Sequence, residues 1–441
     1  MKLVFLAELR RFLRDRTNAW LLAGLACVLL ASAVSSGMAA RAWRAGHDTA
    51  QAEWNARNAQ AEALARKMPA GDQAMMATFQ FARSASPPAV LPPLGGLALA
   101  PGAYALLAPD ARVTVESRHT DHRRGETIAN PLLGGLGVPD VAATLALLVP
   151  LAILGACAGL LQQLREAGLW RMVATQGPRA GGVLAAALAI RGGGIFGVAM
   201  AASALAFALD PGATSAALGA WTLVMLAYCT LWTGVAAVAC SLPLSSGAAM
   251  LVAMAAWAAT TFCIPAMLEA GMDGHAPVPS RLAAVAQVRA VQQDAEVRTP
   301  ELLAQWYADH PRDLPPGRSG HTWPVSFLPR FLEQERNVRP IMAAFDEARA
   351  ARFTAAGRWS FASPSLALAM VADELAGIDP GRFLSHMDAV NAYEDAWRAF
   401  FVPPVMRYSG VRADEFRRIP AFAPAADASQ PRVGAARLSL F

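Results

Sequence analysis

Residues Pro211–Leu268 read PGATSAALGAWTLVMLAYCTLWTGVAAVACSLPLSSGAAMLVAMAAWAATTFCIPAML, 58 positions without an Asp, Glu, Lys or Arg. A helix rises about 1.5 Å per residue, so about 20 apolar residues cross the hydrocarbon core of a bilayer. This block has room for two crossings and a turn, and SLPLSSG at 241–247 supplies the turn. It divides into spans at 217–240 and 248–268. Working outward, Asn18–Ala40 and Val141–Leu164 are also uncharged, and 180–209 carries Arg191 as its only charge. The pattern predicts an all-α, polytopic membrane protein with about five transmembrane helices.

The composition agrees. Of 441 residues, 55% are hydrophobic and 16% charged, with a mean hydropathy of +0.33; a soluble domain carries about 25% charge. The balance of 38 basic and 33 acidic residues is too mild and scattered to indicate nucleic acid. The lysines are Lys2 and Lys67, neither within G-x-x-x-x-G-K-[ST], so the chain lacks the phosphate cradle for hydrolysing ATP alone. H-E-x-x-H and G-x-S-x-G are also missing, and no nucleophile–base constellation stands out. Cys27, Cys157, Cys229, Cys240 and Cys263 all fall in apolar stretches and read as small core residues.

Residues 1–17 set Leu3, Phe5, Leu6, Leu9 and Phe12 at helical spacing beside Arg10, Arg11, Arg14 and Arg16. They read as an amphipathic helix on the membrane surface, an uncleaved anchor rather than a signal peptide. By the positive-inside rule the N-terminus is cytoplasmic, and Arg165, Arg171 and Arg179 place 162–179 on the same side. Spans at 18–40, 138–161, 180–209, 217–240 and 248–268 then put 41–137 and 272–441 outside, packed into one mostly helical domain. Arg41–Lys67 continues the first span as a helix, and SPPAVLPPLGG (86–96) is irregular. Arg191 is expected to snorkel at the cytoplasmic boundary, a functional intramembrane charge being the alternative. Trp359–Ala372, the longest uncharged run after Glu269, is too short to cross.

Several stretches, in order, are similar to one family: ANPLLGGLGVPDVAATLALLVPLAIL (129–154), LREAGLWRMVATQG (164–177), AYCTLWTGVAAVA (227–239), PVPSRL (277–282), ADHP (308–311), SPSLAL (363–368) and AGIDPGRF (376–383). The chain resembles the permease subunit of type-2 ABC transporters, in the branch described as a transport system for multi-copper enzyme maturation. The resemblance implies a bacterial inner-membrane protein pairing with itself or a sister permease, and a separate ATPase subunit using ATP and Mg. It implies a coupling helix against that ATPase at Arg165, Glu166, Gly168, Trp170 and Arg171. It also implies a sixth span after Pro420-Ala-Phe422, whereas 423–441 contains no run apolar enough to cross.

Residue chemistry leaves two readings of the loop open: Trp170 between arginines suits an interface anchor, and equally an interfacial belt position. The copper connection directs attention to His47, His119, His122, His275, His310, His321 and His386, and to Met68, Met75 and Met76. Without cysteine beside them they read as dispersed surface groups, with no metal or catalytic site assigned. A non-transporting scaffold that transmits ATPase motion to an envelope partner is the rival reading, since spans 217–240 and 248–268 offer no ionisable lining. A copper-enzyme maturation factor is a further alternative.

Overall fold

A computed structural model describes residues 2–84, 88–107, 109–116, 140–175, 180–275, 277–315 and 321–424. Among these the regular structure is helical apart from one antiparallel strand pair, β1 (Ala89–Val90) with β2 (Asp110–Ala111). Five helical stretches are long and apolar enough to cross a membrane. They are α2 (Arg16–Lys67), α5 (Val141–Cys157) running on into α6 (Leu160–Glu166), α8 (Ala180–Leu209), α9 (Ser215–Ser241), and a fifth composite. The fifth joins α10 (Ser246–Ala258) through a π-turn at Ala259–Cys263 to α11 (Ile264–His275).

Small and hydroxylated residues let these helices meet. Ala33, Ser36, Gly37 and Ala40 form one buried face of α2. A Cβ on Gly37 would stand 2.7 Å from Leu209 Cβ and 2.8 Å from the Ala206 carbonyl, so glycine there permits the α2–α8 approach. Ser36 Oγ accepts from Val141 N at 3.0 Å, and Ser32 Oγ lies 3.0 Å from Thr144 Oγ1, joining α2 to α5. Trp221 Nε1 donates to Ser203 Oγ at 3.0 Å, joining α9 to α8. At the far end Arg44 grips the fully buried Asp210 carboxylate through two bonds, 2.5 and 3.1 Å. The bidentate pair satisfies both charges where α2 leaves the apolar bundle.

Beyond that pair α2 continues unbroken to Lys67, as the helix-forming composition predicts, 52 residues in all. The break comes earlier than 86–96: the chain turns at Met68–Gly71 into α3 (Asp72–Ser84). This first unit shares a core with α13 (Thr299–Asp309), α14 (Leu328–Trp359) and α16 (Pro380–Met406). Trp397 is fully buried there and donates from Nε1 to the Ala82 carbonyl at 3.0 Å, and Phe79, Phe401 and Val405 surround the joint. Buried Glu394 takes Arg339 and Arg398, each at 2.7 Å. The two long insertions thus build one helical body, α12 (Arg281–Val297) packing on α14.

Two expectations need correction and one needs an addition. The apolar run Trp359–Ala372 does not stay with that body: α15 (Pro364–Ala376) returns into the bundle core beside α5 and α9, burying Leu368, Val371, Ala372 and Leu375. Its Ser365 Oγ lies 3.3 Å from Tyr228 Oη on α9 and 3.0 Å from Thr261 Oγ1 in the π-turn. A run too short to cross can still insert, because the bundle supplies its polar partners. Secondly, the amphipathic α1 (Lys2–Arg14) has a tie to the bundle that the sequence did not show: buried Phe12 packs onto α8 against Gly194, while Phe5, Leu6 and Leu13 stay exposed. Thirdly, Arg191 lies beneath Phe12, 6% exposed, rather than reaching toward solvent.

Two predictions follow from α15. Ser365→Ala removes a buried interhelical hydroxyl and should cost about 0.6–1 kcal/mol, read as a lower thermal midpoint in detergent with helical content retained. Asp373, on the same helix, is pushed up to about 7 by burial and then by the nearby Asp140 carboxylate. A carboxyl held above its unfolded value of about 3.9 stabilises the fold when protonated. That contribution is complete below about pH 4 and is lost as pH rises through about 7. The midpoint should therefore fall between pH 5 and 8, and Asp373→Asn should flatten this dependence.

Candidate functional site

The loop carrying Arg165, Glu166, Gly168, Trp170 and Arg171 is two short helices, α6 and α7 (Leu169–Thr175), at the bundle end opposite the helical body. Gly168 separates them at φ +73°, a left-handed conformation glycine takes without strain. Gln162 and Glu166 stand one turn apart on α6 and both reach the α9–α10 hairpin. Buried Gln162 donates from Nε2 to the Ala239 carbonyl at 2.9 Å and to Leu242 at 3.2 Å, where α9 ends. Glu166 accepts from Ser246 N at 2.7 Å and from Ser246 Oγ at 2.8 Å, where α10 begins.

Each group matches the end it meets. The last carbonyls of a helix need donors, and the first amides need acceptors and favour negative charge. Ser245 adds a side-chain cap, accepting from Ala248 N at 3.4 Å. The loop is therefore fixed to two spans through backbone groups. Its other face stays open: Arg165 and Arg171 are exposed, as are Leu169 and Met172. Trp170 is half-buried, with the Arg165 guanidinium 6.0 Å from its ring centre. Of the five residues named from the sequence, four lie on or beside this open face, and Glu166 turns back to the hairpin. Gln162 and Ser246 escaped sequence reading because their partners lie about 80 positions away, whereas the Ser245 cap is local, three positions from Ala248. The signals that could have pointed to them are E-x-G in the loop and the SLPLSSG turn.

The remaining groups do not converge. Among the described residues no set of three His, Cys, Asp or Glu is placed to hold a metal ion. His310 stacks on Trp306, His321 on Tyr307, and His386 is buried against Phe422. Met75 belongs to the body's core. His119 and His122 lie outside the described residues, as do 117–139, which contain much of the first quoted family stretch.

Fold and site define an all-α, multi-pass membrane protein with an appended helical body. Residues 281–425, which form much of that body together with α15, match the family described as "Domain of unknown function (DUF3526)". No curated protein and no solved structure matches the chain.

Glu166→Ala should loosen the first turn of α10, leaving Ser245 as its side-chain cap. Hydrogen exchange should quicken at the amides of Ser246–Ala249 while those of α5 stay unchanged; equal protection throughout would remove the capping role.

Proposed function

We propose that the chain is the membrane subunit of an ATP-driven type-2 ABC exporter, in a bacterial inner membrane with a cytoplasmic N-terminus. The observation that carries the reading is the clamped loop. An exposed surface of arginines around a tryptophan, with Leu169 and Met172 beside it, has the composition of an interface hot spot. A force applied there meets the α9–α10 hairpin directly through Glu166 and Gln162. A separate ATPase, using ATP and Mg, would press on this surface, and the spans would carry the movement to the helical body outside. The functional unit would be a homodimer or a pair with a sister permease.

The spans bear on the cargo. Arg191 is the only Asp, Glu, Lys or Arg within 180–209 and there is none in 211–268, so a polar solute would find little to bind. An amphipathic or lipid-like substrate suits such walls. So does a purely mechanical output, in which the body acts on an envelope partner; this second reading is favoured by the way α15 and the Arg44–Asp210 pair lock body to bundle.

The test is recovery of partners from native membranes with the detergent-solubilised protein, followed by mass spectrometry. A P-loop ATPase should co-purify, and Trp170→Ala should lower its recovery severalfold without altering the thermal midpoint. Glu166→Ala should retain the ATPase but weaken coupling of ATP hydrolysis to transport. Recovery of envelope proteins without an ATPase would overturn the exporter reading in favour of the scaffold.

A further inference from the structure

Where α1 packs onto α8, these helices and the α6–α7 turn enclose a cavity of about 340 Å³. Its walls are apolar along Leu164, Leu184 and Trp170, and its charged groups are Arg191, Arg11 and Glu8. Arg191 is 6% exposed. One guanidinium N–H donates to the Ala187 carbonyl of its own helix at 3.1 Å, and the Phe12 ring centre lies 5.7 Å away. Among the described residues its Nε is buried without an acceptor. Glu8, the acid on this wall, is engaged with Arg11 at 3.7 Å. A guanidinium cannot escape this situation by losing its proton, so an anion entering the cavity would relieve it.

The position selects the anion. The cavity opens beside an amphipathic helix whose Arg10 and Arg14 are exposed, at the bundle end that holds the loop. Such a helix lies where lipid phosphates meet acyl chains. Basic pockets between membrane helices at that level suit anionic lipid headgroups. We propose that the cavity seats the phosphate of an anionic phospholipid from the leaflet on the loop side, paired with Arg191 and Arg11. Its glycerol and first acyl carbons lie along Leu164, Leu184 and Trp170. The lipid joins α1 to the wall that presents Trp170, so the loop's set depends on the lipid around it. Only the membrane placement is needed for this, and it stands or falls separately from the exporter reading.

Native mass spectrometry of the full-length protein, offered phosphatidylglycerol or phosphatidylethanolamine, tests it. The wild type should retain one phosphatidylglycerol with at least about tenfold preference, and Arg191→Gln should bring the preference to about unity. Ala187→Leu keeps the charge but fills the cavity, and should also lose the bound lipid; it gives the answer if Arg191→Gln fails to fold. Inorganic phosphate should not displace the lipid. Equal retention of both lipids by the wild type, or unchanged preference in a folded variant, would overturn the assignment. Displacement by inorganic phosphate would overturn the lipid in favour of a free-anion site.

Discussion

The loop end of the bundle depends on a simple complementarity: a carboxamide and a carboxylate, one turn apart on α6, meet the end of one helix and the start of the next. Gln162 donates to the last carbonyls of α9, and Glu166 accepts from the first amide of α10. Open carbonyls and amides at this hairpin would otherwise bond only to water and leave the turn untied to the loop. With them satisfied, the turn at 242–245 and the loop become one piece. Movement of that loop is then movement of two spans.

The opposite end uses stronger versions of the same device. Lipid gives helices no hydrophobic reason to associate, so packing of small residues and interhelical hydrogen bonds hold them. The Gly37 contact and the Ser32 and Ser36 bonds do this for α2, and Arg44–Asp210 closes its exit. Beyond the bundle the body relies on ordinary aromatic burial around Trp397. The helix α15 belongs to both settings. It leaves the body at Ser363, buries its leucines in the bundle, and returns at Gly377, where Arg382 donates to the Gly377 and Pro92 carbonyls.

Such an arrangement makes the two bodies mechanically continuous without a disulfide. The five cysteines are free; of the three buried ones, Cys240 donates from Sγ to the Cys157 carbonyl at 3.1 Å. Asp210 and Arg191 are both buried, and they are treated differently. Asp210 is neutralised by a bidentate arginine, while Arg191 has a carbonyl, an aromatic face and a cavity.

The sequence by itself determined the five helices long and apolar enough to cross a membrane, the helical extension of the first to Lys67, and the loop with Arg165, Trp170 and Arg171 on it. These follow from hydropathy over about 20 residues and from local helix preference, quantities that neighbouring residues carry between them. Only the tertiary structure decided that Glu166 bonds the start of α10, that Arg191 is covered by Phe12, and that α15 packs into the bundle. Each depends on partners tens to hundreds of positions away: Ser246 for Glu166, Phe12 for Arg191, Tyr228 and Thr261 for Ser365. A short apolar segment reads the same whether it packs on a soluble core or enters a bundle. What distinguishes the cases is whether hydroxyls and backbone groups find partners there, and only the assembled fold supplies them.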